Sequence, residues 1–193
     1  MASVDDILTF WFGRPDEPGY TEPRGRWFEQ EPAFDAECAR RFLATQEKAA
    51  EGGLQAWRDE PRSALALVLL LDQFPRNIFR DSARAYATDA RALEVARHAL
   101  ARGLDVPLPP VWRWFFYMPF VHSEDIHDQR IAVSLFEALV PQYQTSATLR
   151  TYAQRHLDVI AHFGRFPHRN SLLGRDSTPE EMAFLQEPNS SFQ

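Results

Sequence analysis

Two short phrases of this chain share one form: Asp72-Gln73-Phe74-Pro75-Arg76-Asn77 and Gly164-Arg165-Phe166-Pro167-His168-Arg169-Asn170. Each closes an apolar run on Phe-Pro and then presents a basic residue and an Asn. A third relative, Met118-Pro119-Phe120, is followed at once by His122-Ser123-Glu124-Asp125. Asp72, His122, Glu124 and His168 are of the types that move protons near neutral pH, which makes them the candidate catalytic residues. Gln73, Arg76, Asn77, Arg165, Arg169 and Asn170 are the candidate ligand-binding residues. Guanidinium forks match carboxylate or phosphate and stabilise developing negative charge. The set suits hydrolysis or elimination on a small anionic molecule. The purely structural alternative is that Asp72 pairs with Arg76 four residues on, across a helix end, while His168 and Asn170 cap neighbouring carbonyls.

Other chemistries find less support. Glu124-x-x-His127 has the spacing of a helical carboxylate metal site, but such sites need two of these motifs and further carboxylates, and one occurs. His122 and His127 lie five apart, off the shared face of an i, i+4 pair. No metal and no cofactor are expected. There is no Gly-x-Ser-x-Gly elbow, Cys38 falls on a core-facing position, and Ser123 reads as a helix cap rather than a nucleophile. A Gly-rich phosphate loop is missing too. His156 shares a helical face with Tyr152 and Ile160 and reads as a hydrogen-bonded core histidine.

The elements that must carry these residues are helical. Val4, Ile7, Leu8 and Trp11 follow helical spacing after a Ser3-x-x-Asp6 capping box, with Gly13 as the stop. A loop rich in Pro and Gly precedes a helix expected from Pro32 to Glu51, with Phe34, Cys38, Phe42 and Thr45 on one face. Pro61 starts a helix that is apolar nearly all round, expected to be central and to end at Pro75. Thr88 caps the next, which runs to Arg102 with Leu93, Ala96 and Leu100 inward. Val111 to Met118 form an aromatic helix broken by Pro119. A helix opening at Ser123 or Glu124 buries Ile131, Leu135, Phe136 and Leu139; another spans about 146 to 163; and Thr178-Pro179-Glu180-Glu181 caps a last short one. No alternating strand pattern occurs, so the fold class is all-α. Pro75, Pro119 and Pro167 are separated by 44 and 48 residues, two helices to each interval. That length matches stacked antiparallel helix pairs in a layered superhelix, with the three breaks along one edge.

Composition sets the outer limits. The 193 residues suit a single domain over 1–193, able to bury about 70% of its unfolded surface. With 45% hydrophobic and 25% charged residues the chain is globular, and 13% aromatics should dominate its core. A net charge of -6 makes a nucleic-acid partner unlikely. Positive charge is concentrated, however: residues 150 to 175 hold five Arg against one acid, Asp158, a local balance of +4 that would draw an anion. Lys48 is the sole Lys, and codon bias accounts for most of such an Arg excess. The single Cys38 excludes an internal disulfide framework. No basic, apolar leader is visible at the first residues, and the longest aliphatic run, Ala64 to Leu71, is far below the roughly 20 residues of a membrane span. A cytoplasmic protein with no membrane partner is expected.

Leu71 to Asn77, Tyr117-Met118-Pro119-Phe120 with His122-Ser123-Glu124, Arg155-His156, and Phe163 to Asn170 with Leu173-Gly174-Arg175 together resemble a bacterial family classed as domain of unknown function 924. The resemblance runs from Phe10-Trp11-Phe12-Gly13 to Phe184-Leu185. It implies a compact, right-handed helical fold similar to tetratricopeptide (TPR) proteins and implies almost nothing about activity; the 34-residue tetratricopeptide consensus is absent here. Three functions compete. In the leading one a polar pocket takes a small anion, a carboxylate or phosphate. In the second, a TPR-like groove binds a protein or peptide partner and exposes Trp27, Trp57 or Trp112. In the third, the basic stretch contacts RNA.

Overall fold

The first helix begins as its sequence dictates. Ser3 Oγ accepts from the Asp6 amide at 3.1 Å while Asp6 Oδ2 accepts from the Ser3 amide at 2.8 Å, closing a capping box at the head of α1 (Val4–Phe12). The chain leaves α1 at Gly13 with φ of +86°, a conformation that favours glycine. The computed structural model describes residues 1–188 and 190; residues 189 and 191–193, at the end of the expected 1–193 domain, lie outside the described residues. The chain is all-α: among the described residues no strand occurs.

Helix α2 (Pro32–Ala50) buries Phe34, Cys38, Phe42, Thr45 and Ala49, one face at helical spacing. Helix α3 (Pro61–Val68) is central, as its apolar surface demands. It does not stop at Pro75. The chain widens into a π turn, Leu69–Gln73, in which the Phe74 amide donates to the Leu69 carbonyl, and then continues as α4 (Phe74–Ile78) with Pro75 in the first turn. A π turn spends an extra residue, and Pro75 falls where a missing amide hydrogen is tolerated. The Leu71 carbonyl still loses the donor that residue 75 would give it in an α-helix. Thr88 Oγ1 donates to it instead, at 2.5 Å. Thr88 thus does not cap α5 (Asp89–Ala101) with its side chain, as expected from sequence, but repairs the helix beneath it. Thr88→Val keeps the shape and removes that donor, leaving a buried carbonyl unsatisfied. The expected cost is about 1–3 kcal/mol in urea unfolding, and a cost near zero would show that another donor serves Leu71.

Pro119 likewise fails to break its helix. Helix α6 runs from Pro110 to Val121 with Pro119 inside it, and every residue from Val111 to Val121 is buried except Arg113. Arg113 reaches an acid: its Nη2 lies 3.0 Å from Asp105 Oδ2, which also accepts from Tyr117 Oη at 3.0 Å. Helix α7 (Ile126–Leu139) starts after Asp125, two or three residues later than expected, and turns Ala132, Phe136 and Leu139 inward; Ile131, expected in the core, is 40% exposed. Helix α8 (Ser146–Phe163) lies along α7 and ends on left-handed Gly164. Thr178 and Glu181 cap α9 (Pro179–Phe184) reciprocally. Consecutive helices α5, α6, α7 and α8 pack each on the next, while α2 covers α4 and α1 and α5 flank α3.

Aromatic rings weld the N-terminal helices to α6. Phe115, fully buried, meets Trp11, Phe12 and Trp27 edge-on at centroid distances of 5.0–5.5 Å, and Phe12 stacks on Trp112 at 4.2 Å. Trp27 and Trp112 are therefore buried. No helix among the described residues is long and apolar enough to cross a membrane.

Candidate functional site

The π turn delivers the first candidate pair. Asp72 and Gln73 occupy its last two positions, Asp72 with no exposed surface. His122, the residue that closes α6, places Nδ1 2.7 Å from Asp72 Oδ1, and Gln73 Nε2 donates to the other carboxylate oxygen at 2.6 Å. A carboxylate at Nδ1 fixes the imidazole as the Nδ1–H tautomer and directs the lone pair of Nε2 elsewhere. Burial, seconded by the charge of Arg76, lowers the pKa of His122. Burial works against ionised Asp72, but His122, Arg76 and the Gln73 amide outweigh it and hold the carboxyl below its ordinary range. The result is a neutral histidine braced by a carboxylate, the arrangement of an oriented general base.

Beside this pair, two guanidinium groups share one carboxylate. Arg76 on α4 forks onto Asp89 in the first turn of α5, with Nη1 and Nη2 at 2.9 and 3.0 Å, and its Nη1 also donates to the Asp72 carbonyl at 2.6 Å. Arg169 comes from the short turn Pro167–Arg169 and gives only Nη1 to Asp89 Oδ2, at 3.2 Å. It is 6% exposed. Its guanidinium carbon sits 4.6 Å from the ring centre of Tyr86 and 4.5 Å from that of Phe166, and its Nε is buried without a hydrogen-bond partner among the described residues. Burial pulls the Arg169 pKa down; Asp89 resists, and the like charge of Arg76 adds to the fall.

These groups wall one cavity of about 540 Å³, within the range that takes a small ligand. Gln73, Arg76, His122, His168 and Arg169 stand on its polar side, and Arg80, Arg155, Glu29 and Asp81 add charge of both signs to the wall. Burial is the chief reason His168 is driven down to about 3, helped by Arg169 and Arg76. His156, read from sequence as a core histidine, is 2% exposed and holds Nδ1 2.9 Å from the Tyr152 carbonyl, yet it also lines the cavity; its pKa too falls well below the usual histidine value through burial. Trp27, Phe28, Trp114, Met118 and Leu149 supply the apolar side.

The three sequence phrases thus meet, though not every candidate faces the space between them. Asp72 stands behind His122. Asn77 lines the cavity but donates to Asp35 Oδ1 at 2.7 Å, where Arg80 also forks. Glu124, Arg165 and Asn170 do not line it. Glu124 accepts from the Phe166 amide at 2.8 Å and from both Nη atoms of Arg175, at 2.7 and 3.0 Å. Arg165 forks onto Glu181 at 2.6 and 2.8 Å, and Asn170 Nδ2 donates to Ser177 and Glu181 at 3.0 and 3.3 Å. These three fasten the turn that presents His168 and Arg169. Asp89, Tyr86 and Tyr152 complete the site and carried no local signal in sequence; Asp89 reads there only as an acid in the first turn of a helix. Among the described residues no group of three or more His, Cys, Asp or Glu is arranged to hold a metal ion.

Residues 7–189 match the family described as "Bacterial protein of unknown function (DUF924)". The chain belongs to this family. A DUF924 assignment over nearly the whole sequence agrees with the resemblance carried by the Phe-Pro phrases. The solved structure of a protein of unknown function, ATU0120 from Agrobacterium tumefaciens, is similar at 41% identity, covers 95% of this chain and 96% of its own, and superposes with a TM-score of 0.81. No curated protein matches. The DUF924 assignment therefore accounts for the fold and leaves the chemistry to be argued from the cavity.

Proposed function

We propose that this chain binds a small anion in the cavity between α4, α6, α8 and the Pro167–Arg169 turn, and that Asp72 and His122 serve as its acid–base pair. The observation that carries the reading is the sharing of Asp89 by Arg76 and Arg169. Of the two, Arg76 has both Nη atoms engaged, whereas Arg169 keeps donors in hand beside the cavity. A bound anion supplies the partner that Arg169 lacks. The charge it brings is offset beside a largely buried guanidinium group, where such interactions are stronger than in bulk water.

With the anion held there, His122 Nε2 is the nitrogen left to take a proton from a water or from a carbon acid of the ligand. Asp72 would stabilise the imidazolium that results, and Arg169 the negative charge that develops. Hydrolysis and elimination both fit this division of labour. Location in the reducing cytoplasm belongs to the same reading, supported by a lone, buried Cys38 whose thiol is pushed up by burial.

Calorimetric titration with acetate and with inorganic phosphate tests the anion reading. Wild type should bind at least one of them at millimolar or lower concentration, and Arg169→Gln should weaken that binding about 10–100-fold while Arg76 and Asp89 keep the fold within about 1 kcal/mol of wild type. Absence of binding by wild type, or an unchanged affinity in Arg169→Gln, would remove the proposal.

A further inference from the structure

We infer that the ligand is a monocarboxylate attached to an apolar body, its carboxylate on the side edge of Arg169 and its body against Trp27 and Trp114. The inference rests on the anion-binding reading and narrows it. Guanidinium groups offer a fork made of Nε and Nη2, and the chain uses that fork for carboxylates elsewhere: Arg80 holds Asp35 with Nε and Nη2 at 2.8 and 3.0 Å, and Arg165 holds Glu181 with the same atoms at 2.6 and 2.8 Å. Arg169 spends Nη1 on Asp89 and makes no described hydrogen bond from Nε or Nη2. The ring centres of Tyr86 and Phe166 lie 4.6 and 4.5 Å from its guanidinium carbon and hold the group in place. A fork left without a partner at a buried guanidinium matches one planar carboxylate. A phosphate dianion would ask for a second cation; both Nη atoms of Arg76 are already engaged with Asp89 and Asp72, so phosphate would have to recruit Arg155 on the cavity wall.

The apolar body follows from how the two tryptophans are held. Trp27 Nε1 donates to the Trp11 carbonyl at 3.0 Å, and Trp114 Nε1 donates to Ser146 Oγ at 2.9 Å. Both indole N–H groups are satisfied inside the protein, which leaves hydrocarbon faces toward the cavity. Met118 and Leu149 extend that surface, and none of these four carries a polar group to spare for a sugar or a second charge.

Titration with acetate, hexanoate, phenylacetate, phenylacetamide and inorganic phosphate, followed by calorimetry and tryptophan fluorescence, tests the inference. Hexanoate should bind more tightly than acetate by about three- to fourfold per added methylene, and phenylacetate should perturb tryptophan emission. Phenylacetamide, of the same shape without charge, should bind about 100-fold more weakly than phenylacetate, and Arg169→Lys, which keeps the charge and loses the fork, should close most of that gap. Binding of phosphate in preference to every carboxylate, or equal affinity for acetate and hexanoate, would overturn the inference and leave anion binding standing. No binding of any anion would remove both. The comparison of phenylacetate with phenylacetamide needs no variant, so it decides the matter even if Arg169→Lys does not fold.

Discussion

Asp89→Asn is expected to lower stability by about 3–5 kcal/mol, because it leaves Arg76 and Arg169 facing each other with their shared carboxylate gone. For a chain of this length that corresponds to a fall in melting temperature of roughly 6–20 °C, read by calorimetry or circular dichroism. Asn has the size of Asp and can still accept a hydrogen bond, so the loss reports charge rather than a hole. Asp72 Oδ1, 3.5 Å from Arg76 Nη1, softens the blow for Arg76 and does nothing for Arg169. Removing the stranded cation should therefore repair much of the damage. The double variant Asp89→Asn with Arg169→Gln should be clearly more stable than the sum of the two single losses implies, a coupling of about 1–3 kcal/mol. Added carboxylate should also stabilise the single Asp89→Asn variant, since a ligand that binds only the folded state raises its stability by mass action. Strict additivity in the double variant would show that Arg169 does not depend on Asp89.

Much of the scaffold was legible because helix signals are local. Capping boxes at Ser3 and Thr178, glycine stops at Gly13 and Gly164 and the apolar faces of α2 and α3 follow from residues a turn apart. Proline misled for a reason equally physical. Its missing amide hydrogen is harmful only if the abandoned carbonyl stays unpaired, and at Pro75 the rescue comes from Thr88, 17 residues from the carbonyl at Leu71. Nothing within one turn of Pro75 announces that partner. The candidate site divides along the same line. His122, Arg76, His168 and Arg169 stand out by type beside the Phe-Pro phrases, whereas the role of Asp89 depends on two arginines, one 13 and the other 80 residues away from it in the chain. Glu124, Arg165 and Asn170 have the composition of site residues and spend it on fastening the Pro167–Arg169 turn. Residue type alone does not separate a group that meets a ligand from one that positions its neighbour.

The cavity's three histidines give the steepest expected response to pH. Burial is the first cause of the lowered pKa at His122, His156 and His168, and the neighbouring guanidinium groups of Arg76 and Arg169 push the same way. A histidine whose folded pKa lies below its unfolded value of about 6.5 binds fewer protons in the folded state, so its contribution to stability is present above about pH 6.5 and is lost as pH falls. Each such group changes stability by about 1.4 kcal/mol per pH unit, and three together by up to about 4 kcal/mol per unit on the acid side of pH 6.5. The loss should continue toward the folded pKa, about 3 for His168. Asp72, held low, adds its own loss in the same direction only at lower pH, below the ordinary carboxylate range. The melting temperature should accordingly drop between pH 6.5 and 5, and His168→Gln should lower the slope by up to about 1.4 kcal/mol per pH unit. A melting temperature unchanged across that interval would show that the three imidazoles protonate freely in the folded protein. A bound anion reverses the logic: negative charge beside His122 and His168 favours their protonated forms, so the slope should flatten in the presence of ligand. Binding below pH 7 should then take up protons, which calorimetry in two buffers of different ionisation heat will measure directly.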